Sequence, residues 1–216
     1  MTEDLANIAS NGKVKVLRTG EESARPGGRF YAPATISLIH MLEETYNLVD
    51  AGCFGEEGLF QNLLQKQNLR EDQIGYVFIT HNHPDHIGTI SLYKNAYVFM
   101  PDSIFSTASP NNFELMQRDF MLKPGNEQRT INREIALIST PGHSGWDMSV
   151  LHTGKDARIL TCGDLFWNQK DWERNSEFMS LCVNPEMQKR SRDYVRETLK
   201  PEVVIPGHGR AFQPKY

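Results

Sequence analysis

Nine residues, Thr80-His81-Asn82-His83-Pro84-Asp85-His86-Ile87-Gly88, constrain this chain more than any other stretch. They follow the apolar run Ile74-Gly75-Tyr76-Val77-Phe78-Ile79, which reads as a strand, and carry four metal-competent side chains within six positions. Imidazole nitrogens and carboxylate oxygens are the ligands of a borderline-soft cation such as zinc. In extended backbone, residues two apart point the same way, so His81 and His83 can share one ion. Asp85 and His86 come as the chain turns into a helix starting near His86, and they face a second position about one ion's width away. A lone His-x-His is a weak signal. His-x-His-x-Asp-His at a strand end is a strong one.

The same device recurs along the chain: an apolar strand, a Gly turn, then a ligand-type side chain. Ile135 to Thr140 leads to Pro141-Gly142-His143, Arg158 to Cys162 leads to Gly163-Asp164, and Val203-Val204-Ile205 leads to Pro206-Gly207-His208. Five of the seven histidines sit in such places, and strand ends on one edge of a sheet form the rim where open α/β sheets hold ligands. Leu48-Val49-Asp50-Ala51-Gly52 also puts an acid at a strand end. Asp50 is either an outer carboxylate that hydrogen-bonds a ligating imidazole or an ordinary turn residue. His40 and His152 read as structural or solvated, and Cys162 as a small core side chain.

The bulk properties bound the rest. A chain of 216 residues fits one domain, spanning 1–216, with a core that needs no cross-links. Three widely spaced cysteines argue against a disulfide framework and suit a reducing compartment. The polar segment Met1 to Lys13 reads as neither a signal nor a transit peptide, and no apolar run approaches membrane-spanning length. The expectation is a soluble, cytoplasmic protein. A net charge of −4 gives no global case for nucleic acid binding, so a polyanionic substrate needs a local patch or the metals.

Further strands are expected at Val14 to Thr19, on a sheet edge, at Ala34 to His40 and Thr45 to Val49 as a hairpin turning at Glu43-Glu44, and at Ala96 to Met100 and Met148 to His152. Helices are expected from about Glu56 to Gln67 and from Pro185 to Leu199. Gly20 to Pro33 and Asn168 to Glu177 read as loops. Pro101 to Lys123 reads as a surface excursion, a lid or a partner contact, with a helical turn at Phe113-Glu114-Leu115-Met116. Alternating helix and strand points to a layered α/β protein.

Taken together, the metal loop, the later Gly-His, the Gly-Asp and the terminal Gly-His-Gly resemble the metallo-β-lactamase superfamily. The resemblance implies a four-layer αββα sandwich and two divalent ions, zinc first, with manganese or iron as alternatives. Carried over residue by residue, His81, His83 and His143 take the first ion, Asp85, His86 and His208 the second, and Asp164 bridges them. The best-known lactamases have Cys where Asp164 stands, which favours the glyoxalase II-like and nuclease-like branches. The flavodiiron branch has Glu in place of His83. Gly163-Asp164-Leu165-Phe166, Asn184-Pro185 through Arg190-Ser191-Arg192, and Val203 to Phe212 resemble an animal branch assigned as zinc endoribonucleases of histone pre-mRNA 3′ ends. That branch is dimeric and found in cytosol and nucleus. Asn82, Pro84 and Thr89 depart from the usual loop residues without removing a ligand.

Two divalent ions roughly 3.5–4 Å apart lower the pKa of a water held between them, making a nucleophile near neutral pH. Asp85 is the first candidate for managing its proton. Such a site fixes hydrolysis but not the substrate: RNA is expected, with a small thioester as the alternative, and an interaction protein with little turnover as a third reading. Lys189, Arg190, Arg192, Arg196 and Lys200 gather on the last helix, either to bind phosphate at the rim or as a solvated face with Glu186, Asp193 and Glu197. Trp146, Phe166 and Trp167 either wall the pocket and stack on a base or pack.

Overall fold

The computed structural model describes residues 5–41, 45–125, 128–174 and 177–216. A short helix α1 (Leu5–Ala9) precedes β1 (Val14–Arg18), the small hairpin β2 (Ser23–Arg25) and β3 (Arg29–Tyr31), and then β4 (Ile36–His40) and β5 (Tyr46–Val49). Helix α2 (Glu57–Gln65) leads to β6 (Ile74–Phe78), which runs into α3 (Pro84–Ile87); β7 (Tyr97–Phe99), β8 (Ser103–Ser106), β9 (Ser109–Leu115) and α4 (Arg118–Leu122) follow. The second half holds β10 (Gln128–Thr130), β11 (Ile135–Ser139), β12 (Met148–Thr153), β13 (Arg158–Thr161), α5 (Gln169–Arg174), α6 (Pro185–Asp193, continued by a π-helical stretch Tyr194–Leu199) and β14 (Val203–Ile205).

Two large sheets result, ordered β1-β4-β5-β6-β7-β8-β9 and β10-β11-β12-β13-β14. Because side chains alternate across a strand, neighbouring residues feed different cores. Val49, Phe78 and Leu137 meet in the core between the sheets. Leu48 and Val77 turn outward onto Phe60 and Leu64 of α2, while Ile138 turns outward onto Val195 and Leu199 beyond α6. The layers are therefore helix, sheet, sheet, helix: the αββα sandwich. No helix among the described residues is long and apolar enough to cross a membrane.

Several expectations need correction. Gly20 to Pro33 is not all loop, since β2 and β3 pair within it. Phe113 to Leu115 belongs to a strand, not a helical turn: β8 and β9 form a hairpin at the sheet edge, with Phe113 62% and Leu115 70% exposed. A short apolar run has no period long enough to separate the two readings, and pairing with β8 decided it. Asn168 to Glu177 contains helix α5, started by the Asn168 side chain accepting from Asp171 N. The expected turn at Glu43-Glu44 lies outside the described residues.

The last helix corrects the phosphate patch. Arg192 is wholly buried and forms a two-pronged pair with Asp171 at 2.6 and 3.1 Å, its guanidinium lying over Phe166. It therefore has no route to a substrate. Lys189 is exposed but turned along its own helix to Asp193 at 2.5 Å, Arg190 is exposed, and Arg196 lies over Phe166 and Trp172. Asp171→Ala leaves the Arg192 charge buried without its carboxylate; unfolding by denaturant should show a loss of about 3–5 kcal/mol.

Candidate metal centre

Each sequence-level candidate ligand arrives at the same edge of the sandwich from the end of a strand. His81 and His83 follow β6, with His83 the last extended residue before α3, and Pro84 takes the first helical position, where its missing N–H is no loss. That turn of chain swings Asp85 and His86 towards a neighbouring point. His143 follows β11, Asp164 follows β13 and His208 follows β14. Gly207 is forced: a Cβ there would overlap Asp164 Oδ1. Gly142, at φ 140°, lies against the Gln188 backbone and leaves no room for a side chain.

The donor atoms gather in two groups, His81, His83, His143 and Asp164 in one, Asp85, His86 and His208 in the other, each within 4.8 Å. In the first, His83 Nδ1 lies 3.0 Å from both His81 Nε2 and His143 Nε2. Asp164 Oδ2 is 3.3 Å from His143 Nε2, while its Oδ1 is 3.3 Å from His208 Nε2 and 3.4 Å from His86 Nε2. One carboxylate thus offers one oxygen to each group. Asp85 Oδ2 completes the second, 3.3 Å from His86 Nε2 and 3.6 Å from His208 Nε2.

The outward nitrogens are held by the surroundings, which orients the rings and aims the inward nitrogens at the centre. His86 Nδ1 donates to Asp50 Oδ2 at 2.8 Å, and His208 Nδ1 to the Pro33 carbonyl at 3.2 Å. His81 Nδ1 donates to Thr80 Oγ1 at 3.1 Å, whose hydroxyl donates on to Asp50 Oδ2 at 3.0 Å. Asp50, buried and at φ 64°, also accepts from Thr80 N at 2.7 Å. A non-glycine residue is seldom left-handed, and here that conformation aims the carboxylate at His86. His143 is held through its turn, where buried Asp147 accepts from Gly142 N, Ser144 N and Ser144 Oγ. Thr80 and Asp147 have no sequence signal beyond their closeness to ligands.

These atoms fit divalent cations. His86 Nε2, Asp164 Oδ1 and His208 Nε2 are buried, face one another and have no hydrogen-bond partner among the described residues, a costly arrangement unless a cation sits among them. The donor set is all imidazole and carboxylate, as zinc, manganese or iron accept. Burial would lower the His86 pKa, but the Asp50 and Asp164 carboxylates hold it well above its ordinary value. Burial would raise Asp164, and His208 and His86 hold it well below. Burial keeps His81 well below, and His143 below, the usual imidazole range.

The aromatic candidates divide. Trp167 is buried and stacked on His208 with ring centroids 4.0 Å apart, Phe178 stacking behind it at 4.9 Å. Phe166 is core, under Arg192 and Trp172. Trp146 is 44% exposed beside the His143 turn. His40 stacks on Tyr46, and Cys162 is buried, its thiol pushed up by burial.

The chain belongs to the metallo-beta-lactamase superfamily: that family's sequence profile matches residues 32–208. Among its relatives, the metallo-beta-lactamase domain-containing protein 1 of Xenopus laevis is 30% identical over 207 residues, 93% of this chain and 81% of the frog protein. The chain spans 59–62% of the length of the mouse, human and rat proteins of that name. Two solved structures share the fold. A Thermotoga maritima protein assigned to the metallo-beta-lactamases is 18% identical with a TM-score of 0.69, over 94% of this chain and 99% of its own. An N-acyl homoserine lactone hydrolase with its product at the catalytic metal center is 19% identical with a TM-score of 0.64, over 92% of each chain.

Two outcomes follow. The Asp50 and Asp164 carboxylates favour the charged form of His86, whereas burial favours the neutral forms of His81 and His143, so filling the centre should release protons chiefly from His86, read by calorimetry in buffers of different ionisation enthalpy. Asp50→Ala removes the support of His86 and Thr80 together and should weaken metal binding by about 10- to 100-fold, measured by titration against a competing chelator.

Proposed function

We propose that this chain is a dinuclear metal-dependent hydrolase whose substrate is single-stranded RNA, cut at a phosphodiester. The observation that carries the hydrolase reading is Asp164, with one carboxylate oxygen in each donor group, which sets two cation positions side by side. Superfamily members are metal-dependent hydrolases, and the convergence of the donor atoms of His81, His83, Asp85, His86, His143, Asp164 and His208 supports reading all seven as ligands. When bound, two divalent ions, zinc first, supply Lewis-acid polarisation and a nucleophile from water near neutral pH.

The protein's own residues do the rest. Asp85 is the most open of the carboxylates at the centre, its side chain 22% exposed, and against the pull of burial the adjacent His86 imidazole, Nε2 at 3.3 Å, keeps its pKa below the ordinary value. It is an ionised group at the mouth, placed to accept a proton during attack. Trp167 covers one side of His208 and keeps water from it. Trp146, exposed beside His143, is available to stack on a base.

The RNA assignment rests on the likeness to the animal endoribonuclease branch, which also implies a homodimer in cytosol and nucleus. With Arg192 buried, phosphate recognition in this reading falls to the ions and to exposed Arg190. A second reading, a thioester or lactone substrate, is favoured by the lactone hydrolase fold neighbour. It is also favoured by exposed apolar Leu181 and Val183, the latter bonded through its N–H to the His143 carbonyl. The complete donor set disfavours an interaction protein without turnover.

The test is incubation of two-ion protein with single-stranded RNA, a glutathione thioester and an N-acyl homoserine lactone. RNA cleavage that falls to background on chelation and in Asp164→Ala is the expected result. Turnover of an ester with RNA intact transfers the assignment to the second reading. No turnover of any of the three, with Asp164→Ala altering only stability, overturns the hydrolase reading.

A further inference from the structure

We propose that one face of α6, made by Gln188, Ser191 and Arg192, is the strut that sets the spacing of the His143 and Asp164 turns and so positions the first ion. The inference rests on the two-ion reading above, and concerns what holds that site in register.

The need for a strut follows from topology. His143 follows β11 and Asp164 follows β13, and β12 lies between those strands in the sheet. No ladder hydrogen bonds join the two turns, yet His143 Nε2 and Asp164 Oδ2 come to 3.3 Å. The ladders through β12 space the strands, and a brace outside the sheet can fix the turns beyond their ends.

Helix α6 touches both. Gln188, Ser191 and Arg192 occupy positions i, i+3 and i+4, one face of a helix, and all are fully buried. Gln188 Nε2 donates to the Asp164 and Leu165 carbonyls, both at 3.0 Å, and Arg192 Nε donates to the Leu165 carbonyl at 2.8 Å. Ser191 Oγ donates to the Pro141 carbonyl at 2.6 Å, on the other turn. Just before the helix, Val183 N and Asn184 N bond the His143 and Gly142 carbonyls at 2.9 Å. Gly142, which can bear no Cβ, lets the His143 turn lie directly on the Gln188 backbone.

Ordinary packing does not account for this face. Apolar anchorage of this segment comes from Val195 and Leu199, beyond the polar residues. Burying an amide, a hydroxyl and a guanidinium costs free energy that only well-made hydrogen bonds offset. Here those bonds run to backbone carbonyls on the two ligand turns. Asp171 fixes the Arg192 guanidinium, and also accepts from Trp167 N at 2.9 Å, tying the residue that stacks on His208 into the same frame. Gln188, Ser191 and Arg192 are positioning residues: they touch no reacting atom.

The test is stepwise zinc titration of the full chain against a competing chelator, with thermal unfolding of the metal-free protein alongside. Ser191→Ala and Gln188→Met keep the size of the buried group and avoid stranding the Arg192–Asp171 pair. Both are expected to weaken the first ion by about 10- to 100-fold. In Ser191→Ala, whose hydroxyl serves only the His143 turn, the second ion is retained at wild-type affinity. Glu186→Ala, on the exposed side of α6, serves as the control and leaves both affinities unchanged. Wild-type affinities for both ions in both variants overturn the proposal, as does an equal loss of both ions that simply tracks a lower unfolding temperature. A wild-type chain that takes up fewer than two ions defeats the two-ion reading itself, and this inference with it.

Discussion

The arrangement on which everything else depends is the splitting of the Asp164 carboxylate between two groups of lone pairs. Nitrogen and oxygen acceptors packed to little more than 3 Å repel one another, and burial removes the water that would relieve them. In the metal-free chain Asp50 and Asp164 favour the charged form of His86, and His208 and His86 favour the ionised form of Asp164, which lowers that cost. Cations relieve it better. The left-handed Asp50, the glycines without room for a Cβ and the buried polar face of α6 make sense as parts of one frame that keeps these acceptors converged.

That frame is assembled at the edge of the sandwich because strands are stiff and their ends are not. The apolar alternation along β5, β6, β11 and β13 sends neighbouring side chains into different cores, which leaves each strand with little freedom of register. The turns at their ends inherit that precision, and short Gly-containing connections convert it into ligand geometry. Asp50 shows the economy of the device: one carboxylate beyond β5 supports His86 directly and His81 through the Thr80 hydroxyl.

Much of this was legible in the sequence, for physical reasons. Metal chemistry needs particular side chains, and the strand-Gly-ligand pattern puts them where only a site explains them, so the seven candidates could be named before any coordinates. The run of elements pointed to a layered α/β protein, and the αββα order came from the resemblance. Asp50 was legible only as one of two possibilities, because a turn Asp and a supporting Asp look alike until its φ and partner are seen. Gln188 and Ser191 carried no signal, since their role lies in bonds to distant carbonyls. Arg192 misled for a related reason: a charge in a basic helix says nothing about burial, and its partner Asp171 stands 21 residues away. The hairpin β8–β9 was missed because Phe113-Glu114-Leu115-Met116 is too short to show a period.

The way the ligands are shared out has one more consequence. The first group takes His81 and His83 from the seven-stranded sheet and His143 and Asp164 from the five-stranded one; the second takes Asp85 and His86 from one sheet and His208 from the other. Each ion would therefore act as a rivet through the seam between the two halves. The cohesion of the sandwich would then track free metal by mass action, so that starvation for the cation weakens the join between the sheets.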